Sequence, residues 1–198
     1  SPFTDSYRSA TAVAFSADGT MAAAGFGGNP IGEANKISIW NAITGARIKT
    51  VDYGANVTSV KSIAFADNQR IIASGSDGLK IIRISDGVVV SGPENNTGPF
   101  VISPNRQMIS VGSGSSVIIR RTTDLSPINS FIPINSSDAT PLAFTSDLMN
   151  SRIAVANGTQ AFLYEVSSGA GVRSLGLIAG VEPRGAFTPN GQYFLGGT

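Results

Sequence analysis

The sequence predicts an all-β fold in which one four-stranded antiparallel unit is written four times and begun a fifth. Three observations carry this expectation. A short phrase, an apolar residue followed by a polar turn, recurs as Phe15 in VAFSADG, Phe65 in IAFADNQ, Ile102 in FVISPNR, Phe144 in LAFTSDL and Phe187 in GAFTPNG. The intervals between copies are 50, 37, 42 and 43 residues, and a period of about 40 to 45 residues belongs to the four-stranded blades of a β-propeller. Each phrase is followed, in the same order, by the same series of short β-rich runs and turns.

The first strand of each unit ends at the phrase. Pairs such as Asp18-Gly19 and Asn190-Gly191 supply the positive φ angles of a tight hairpin, which Gly and Asn tolerate best. A second run follows, rich in small and branched residues: MAAAGF (21–26), RIIASGS (70–76), QMISVGS (107–113), SRIAVAN (151–157) and QYFLGGT (192–198). The third strand is β-branched: KISIWN (36–41), LKIIRI (79–84), SVIIRR (116–121) and QAFLYE (160–165). A polar turn then leads to the fourth, RIKTVD, VVVSG, INSFIPI or VRSLGLI. The units span about 12–53, 57–95, 98–135 and 139–179, with an incomplete fifth at 184–198. One unit cannot bury both of its faces, so neighbours must stack. The expected repeat core is Phe15, Trp40, Phe65, Ile102, Phe144 and Phe187, the phrase residues pointing from the innermost strand into the contact with a neighbour.

Composition narrows the function classes. The 198 residues are 41% hydrophobic and only 14% charged, against about 25% charged in ordinary soluble domains. With 14 basic and 13 acidic residues, the chain has no electrostatic footprint for nucleic acid or an anionic membrane. It contains neither cysteine nor histidine, which excludes disulfides, thiolate metal sites and imidazole-dependent catalysis within it. No apolar run reaches the roughly 20 residues of a transmembrane helix. Low charge with abundant Ser, Thr, Asn and Gly inclines the reading towards a secreted or surface protein.

At this level of detail the sequence resembles the WD-repeat family of β-propellers. SIAFADNQRIIASGSDGLKIIRI (62–84) carries the resemblance best, and ISIWN (37–41) supplies the family's Trp followed by Asn41 where Asp is usual. The other units place Arg83, Arg120 and Tyr164 at the Trp position. Without histidine, the family's hydrogen-bonded network of His, Asp, Ser/Thr and Trp cannot form; Asp77 stands where its turn Asp would be, with its usual partner missing. The resemblance implies a rigid platform for protein partners. Four units and two strands of a fifth favour part of a larger ring, seven-bladed, over a ring completed by a second chain or a four-bladed ring with a spare hairpin.

Candidate site residues are few. The segment GFGGNPIGEANK (25–36) is longer than the matching break in any other unit, and its Asn29, Glu33, Asn35 and Lys36 form a candidate partner-binding loop. Surface loops also accept such insertions neutrally. Tyr53, in the inter-unit run TVDYGANVTS (50–59), is a further candidate contact, or a local lid on the core. Arg120 and Arg121 are adjacent strand residues that face opposite ways and cannot easily converge on an anion. The carboxylates are dispersed and mostly in turns, where Asp binds its own backbone. No catalytic, cofactor or metal residue is expected. The expected function is a non-catalytic scaffold for protein–protein interaction or self-assembly through rim loops and exposed strand edges. Alternatives are the propeller domain of a larger enzyme whose catalytic residues lie elsewhere, and an extracellular structural or filament subunit.

Overall fold

A computed structural model describes residues 9–27, 36–54, 59–134, 138–147, 151–177 and 184–197. The chain is all-β. The first sheet contains β1 (Ser9–Phe15), β2 (Met21–Gly27), β3 (Lys36–Asn41) and β4 (Arg47–Asp52). The second contains β5 (Val60–Phe65), β6 (Arg70–Gly75), β7 (Gly78–Arg83) and β8 (Val89–Glu94). The third holds β9 (Phe100–Ile102), β10 (Met108–Ser113), β11 (Ser116–Arg121) and β12 (Pro127–Phe131), and the fourth β13 (Ala139–Phe144), β14 (Arg152–Asn157), β15 (Gln160–Glu165) and β16 (Gly171–Leu177). The hairpin β17 (Arg184–Phe187) and β18 (Phe194–Gly197) follows. Strands neighbour one another in chain order throughout, the meander that short polar turns between β-rich runs dictate. The chain falls into two compact units, Ser1–Gly98 and Pro99–Thr198.

The recurring phrase is a hydroxyl-stapled hairpin. Ser16 Oγ donates to Asp18 Oδ1 (2.7 Å) and accepts from the Met21 amide (2.9 Å), while the Thr20 amide donates to the same carboxylate oxygen (3.0 Å). Ser103, Asn105, Gln107 and Met108 repeat the pattern at 2.8, 3.0 and 3.0 Å. Thr188, Asn190, Gln192 and Tyr193 repeat it at 2.7, 3.1 and 3.1 Å. Each staple satisfies backbone groups that the tight turn leaves without a ladder partner. Positive φ follows the Asp or Asn in all three, at Gly19 (71°), Arg106 (58°) and Gly191 (69°). The β3–β4 turn and its counterparts are just as regular: Gly45, Gly87, Leu125 and Gly169 have φ of 72°, 80°, 63° and 71° and donate to Asn41, Arg83, Arg121 and Glu165.

These turns set the register and correct one sequence assignment. Trp40 pairs with Ala22, Arg120 with Ile109 and Tyr164 with Ile153. In the second sheet the corresponding residue is Ile82, opposite Ile71, because Arg83 occupies the turn position of Asn41. Strand residues alternate faces, so a shift of one moves a side chain to the other side.

Within the first unit, Ile63, Phe65, Ile71, Ala73 and Ile82 of the second sheet share a core with Ala23, Ile37, Ile39 and Val51 of the first, flanked by Ala12, Ala14 and Met21. The alanines give room for the Phe and Ile side chains opposite. Backbones approach closely beside this core, where a Cβ on Gly25 would lie 2.5 Å from Val60 Cγ1 and Thr11 Oγ1 donates to the Val60 carbonyl at 2.6 Å. In the second unit, Phe144, Ile153, Val155 and Tyr164 of the fourth sheet pack with Val117 and Ile119 of the third. Phe187 and Phe194, with ring centroids 5.1 Å apart, pack against Leu142, Ala154, Ala156 and Ala161. Of the expected core residues, Trp40, Phe65 and Phe144 are buried, and Ile102 and Phe187 are half-buried.

Phe15 does not belong to that core; it is 60% exposed. Its counterpart Phe65 faces the preceding sheet. Phe15 and Val13 occupy the equivalent face of β1, opposite the one whose Ala12 and Ala14 meet the second sheet.

Candidate functional site

Gly27, the last residue of β2, forms an isolated bridge with Ser59, which stands just before β5. The loop predicted to bind a partner follows Gly27 in the sequence. Asn29, Glu33 and Asn35 lie outside the described residues. Lys36, at its end, begins β3 opposite Asp52 and forms an ion pair with it; its side chain is 27% exposed. At such exposure the pair contributes about 0–1 kcal/mol, and its local effect is to hold the loop's last residue against the outer strand.

Tyr53 is fully buried, which removes it as a partner contact. One residue beyond β4, its ring enters the core between the two sheets and its hydroxyl donates to the Gly78 carbonyl. Burial, and secondarily the charge of Asp77, raise its phenol pKa well above the ordinary range. Lys80 completes the arrangement. Its ammonium donates to the Tyr53 carbonyl at 2.9 Å, pairs with Asp77 and lies 5.0 Å from the centre of the Tyr53 ring. A buried ammonium needs a counter-charge and hydrogen-bond acceptors, and here it has both. Asp77, which lacks the family's histidine, therefore has a lysine partner. Sequence reasoning missed Lys80, although a signal was present: it alternates with Ile82 and Ile84, both buried in the same core.

A different set of side chains holds the corresponding connector of the second unit. The Ile134 amide donates to Tyr164 Oη at 3.1 Å, and Asn157 Nδ2 donates to the Ile134 carbonyl. Burial raises the Tyr164 phenol pKa.

The acidic side chains of the turns are occupied locally. Asp18 receives Ser16 and Thr20 on one oxygen and Asn68 Nδ2 on the other (2.6 Å), linking the hairpin turns of the first two sheets. These bonds, that from Ser16 foremost, hold its carboxyl far below the usual range. Asp86 is lowered by Arg83 and Asp124 by the Ser126 hydroxyl. Arg120 donates to the Leu125 carbonyl at 2.7 Å; it and Arg121 sit in adjacent rows of the ladder, opposite Ile109 and Met108, and so face opposite ways. Among the described residues no three acidic side chains are grouped to hold a metal ion. The described end of the first unit is thus a braced surface built from hydrogen bonds and packing.

Comparison with curated proteins gave no match. Residues 47–79 match the family model of the WD domain, G-beta repeat, a stretch that begins with β4, runs through β5 and β6, and ends on the second residue of β7. It contains both Tyr53 and Asp77. WD-repeat domains are usually non-catalytic and typically act as scaffolds for protein interactions. The matched repeat and the four-stranded antiparallel sheets on either side of that span are those expected of WD-repeat propeller blades.

Proposed function

We propose that the chain is a non-catalytic scaffold of the propeller type, binding a protein partner at the end of the first unit marked by the Gly27–Ser59 bridge, through residues 28–35 and Lys36. The WD-repeat match over residues 47–79 carries this reading. The braces around it support a binding surface: Lys36 on Asp52, and Lys80 on Tyr53 and Asp77, limit the ordering cost that a partner would otherwise have to offset. Asn29, Glu33 and Asn35 supply polar groups for specificity and Lys36 a partly exposed stem.

Chemical cross-linking in the native source, followed by reconstitution with the purified cross-linked protein, tests the proposal. The triple change Asn29→Ala, Glu33→Ala and Asn35→Ala is expected to weaken binding at least about tenfold, roughly 1.4 kcal/mol, with an unchanged melting temperature. Undiminished affinity in the triple variant would overturn the assignment of this surface.

A further inference from the structure

The sequence holds four Asn-x-Ser/Thr triplets, beginning at Asn56, Asn95, Asn135 and Asn157, and their positions follow the repeat. Asn56 falls between β4 and β5, Asn95 between β8 and β9, and Asn135 between β12 and β13. Each connector from one complete sheet to the next therefore carries one triplet. The fourth opens the turn between β14 and β15. In an antiparallel meander the second turn and the exit from the last strand lie at one end of the sheet, and the first and third turns at the other. All four triplets belong to the former end. Asn41, Asn68, Asn105 and Asn190 stand in turns of the opposite end, and none of them begins a triplet. Placement thus follows topology, not composition alone.

Asn56 and Asn135 lie outside the described residues. At the connector that leaves the second sheet, Asn95 and Thr97 are exposed, whereas Asn96 between them is buried, at 6% exposure. The amide and the hydroxyl two residues on therefore reach solvent together, while the intervening residue anchors the chain. The stretch is irregular and continues into Gly98 and Pro99, so a bulky group on Asn95 interrupts no strand ladder. A glycan needs such a surface loop.

Asn157 is the opposite case. It is half-buried, forms the last pair of the β14–β15 ladder with Gln160, and its Nδ2 donates to the Ile134 carbonyl. A sugar on that nitrogen would displace Ile134 and break the brace of the connector.

We propose that Asn95 is an N-glycosylation site, used while Asn157 is not, and that the chain therefore meets a transferase supplied with a lipid-diphosphate-linked oligosaccharide. Asn95 Nδ2 forms a bond to the anomeric carbon of the first sugar, and the bond from that carbon to the diphosphate oxygen breaks. The lipid diphosphate leaves with the electron pair of that bond, and a proton passes from Nδ2 to a base of the transferase. This modification goes beyond the scaffold reading and does not depend on it. It accords with the low charge and the Ser, Thr, Asn and Gly content of the chain.

Peptide mass mapping of the chain purified from its native source tests the proposal. Enzymatic release of N-glycans in heavy-oxygen water converts each occupied asparagine into labelled aspartate. Label is expected at Asn95 and not at Asn157. Re-expressed in the same source, Asn95→Gln and Thr97→Ala are expected to lose the mass of one glycan, whereas Thr97→Ser keeps it. An unlabelled Asn95, label at Asn157 equal to that at Asn95, or an unchanged glycan mass in Thr97→Ala would overturn the proposal. The 28–35 triple variant alters no triplet residue, so failure here leaves that result standing.

Discussion

Two residues hold backbone conformations that their neighbours in the repeat assign to glycine, and the surroundings determine the consequence of replacing each. Arg106 has φ of 58° where Gly19 and Gly191 have 71° and 69°. A side chain in that region costs about 1–2 kcal/mol, and Arg106 is a turn residue with only part of its surface covered. Arg106→Gly is therefore expected to stabilise the chain by about 0.5–1 kcal/mol, the strain relief less the extra entropy of glycine in the unfolded state. Leu125 is strained in the same way, with φ of 63°, but is 1% exposed. Losing a buried leucine costs about 2–5 kcal/mol, more than the strain returns, so Leu125→Gly is expected to destabilise by about 1–3 kcal/mol. Urea unfolding midpoints of the two variants should move in opposite directions.

The connector between the first two sheets is an element whose position depends on a few polar groups. Lys80 serves the Tyr53 carbonyl and Asp77 at once, and its own side chain is 7% exposed while that of Asp77 is 42% exposed. Lys80→Met leaves a buried carbonyl without its donor and is expected to cost about 2 kcal/mol. Asp77→Asn keeps a hydrogen-bonding group but removes the counter-charge of the buried ammonium, and is expected to cost more, about 3 kcal/mol. The ranking is checked by denaturant titration. Amide exchange of Gly54 should rise in the lysine variant before that of β6 and β7, because the connector loses its anchor while the ladder remains. The alternative bracing in the second unit, Asn157 and Tyr164 on Ile134, shows that the repeat preserves a task rather than a residue type.

At the scale of the whole molecule, stability follows from faces of sheets meeting, and the recurring phrase residues report on this directly. Phe65 is fully buried and Phe15 is 60% exposed, although both end the first strand of a repeat. Phe65→Ala is expected to destabilise by about 3–5 kcal/mol and Phe15→Ala by no more than about 0.5 kcal/mol, measured by thermal and urea unfolding. Much of the architecture was legible in the amino acids. Period, turn chemistry and β-branched runs each act over a few residues, so Asp18-Gly19, Asn190-Gly191 and the four-strand grammar could be read directly. The candidate site was less legible. Tyr53 read either as a loop contact or as a lid on the core, because the fold of its ring into the core depends on a sheet that follows it in the chain. Lys80 drew no reading because the carbonyl it serves, that of Tyr53, stands 27 residues before it in the chain. The Trp-position register needed the turn hydrogen bonds, since Ile82 and Arg83 differ by one place and face opposite ways. Local chemistry thus specified the strands, their order and their turns, whereas which faces are covered and which tyrosine is buried arose from non-local packing and pairing between segments tens of residues apart.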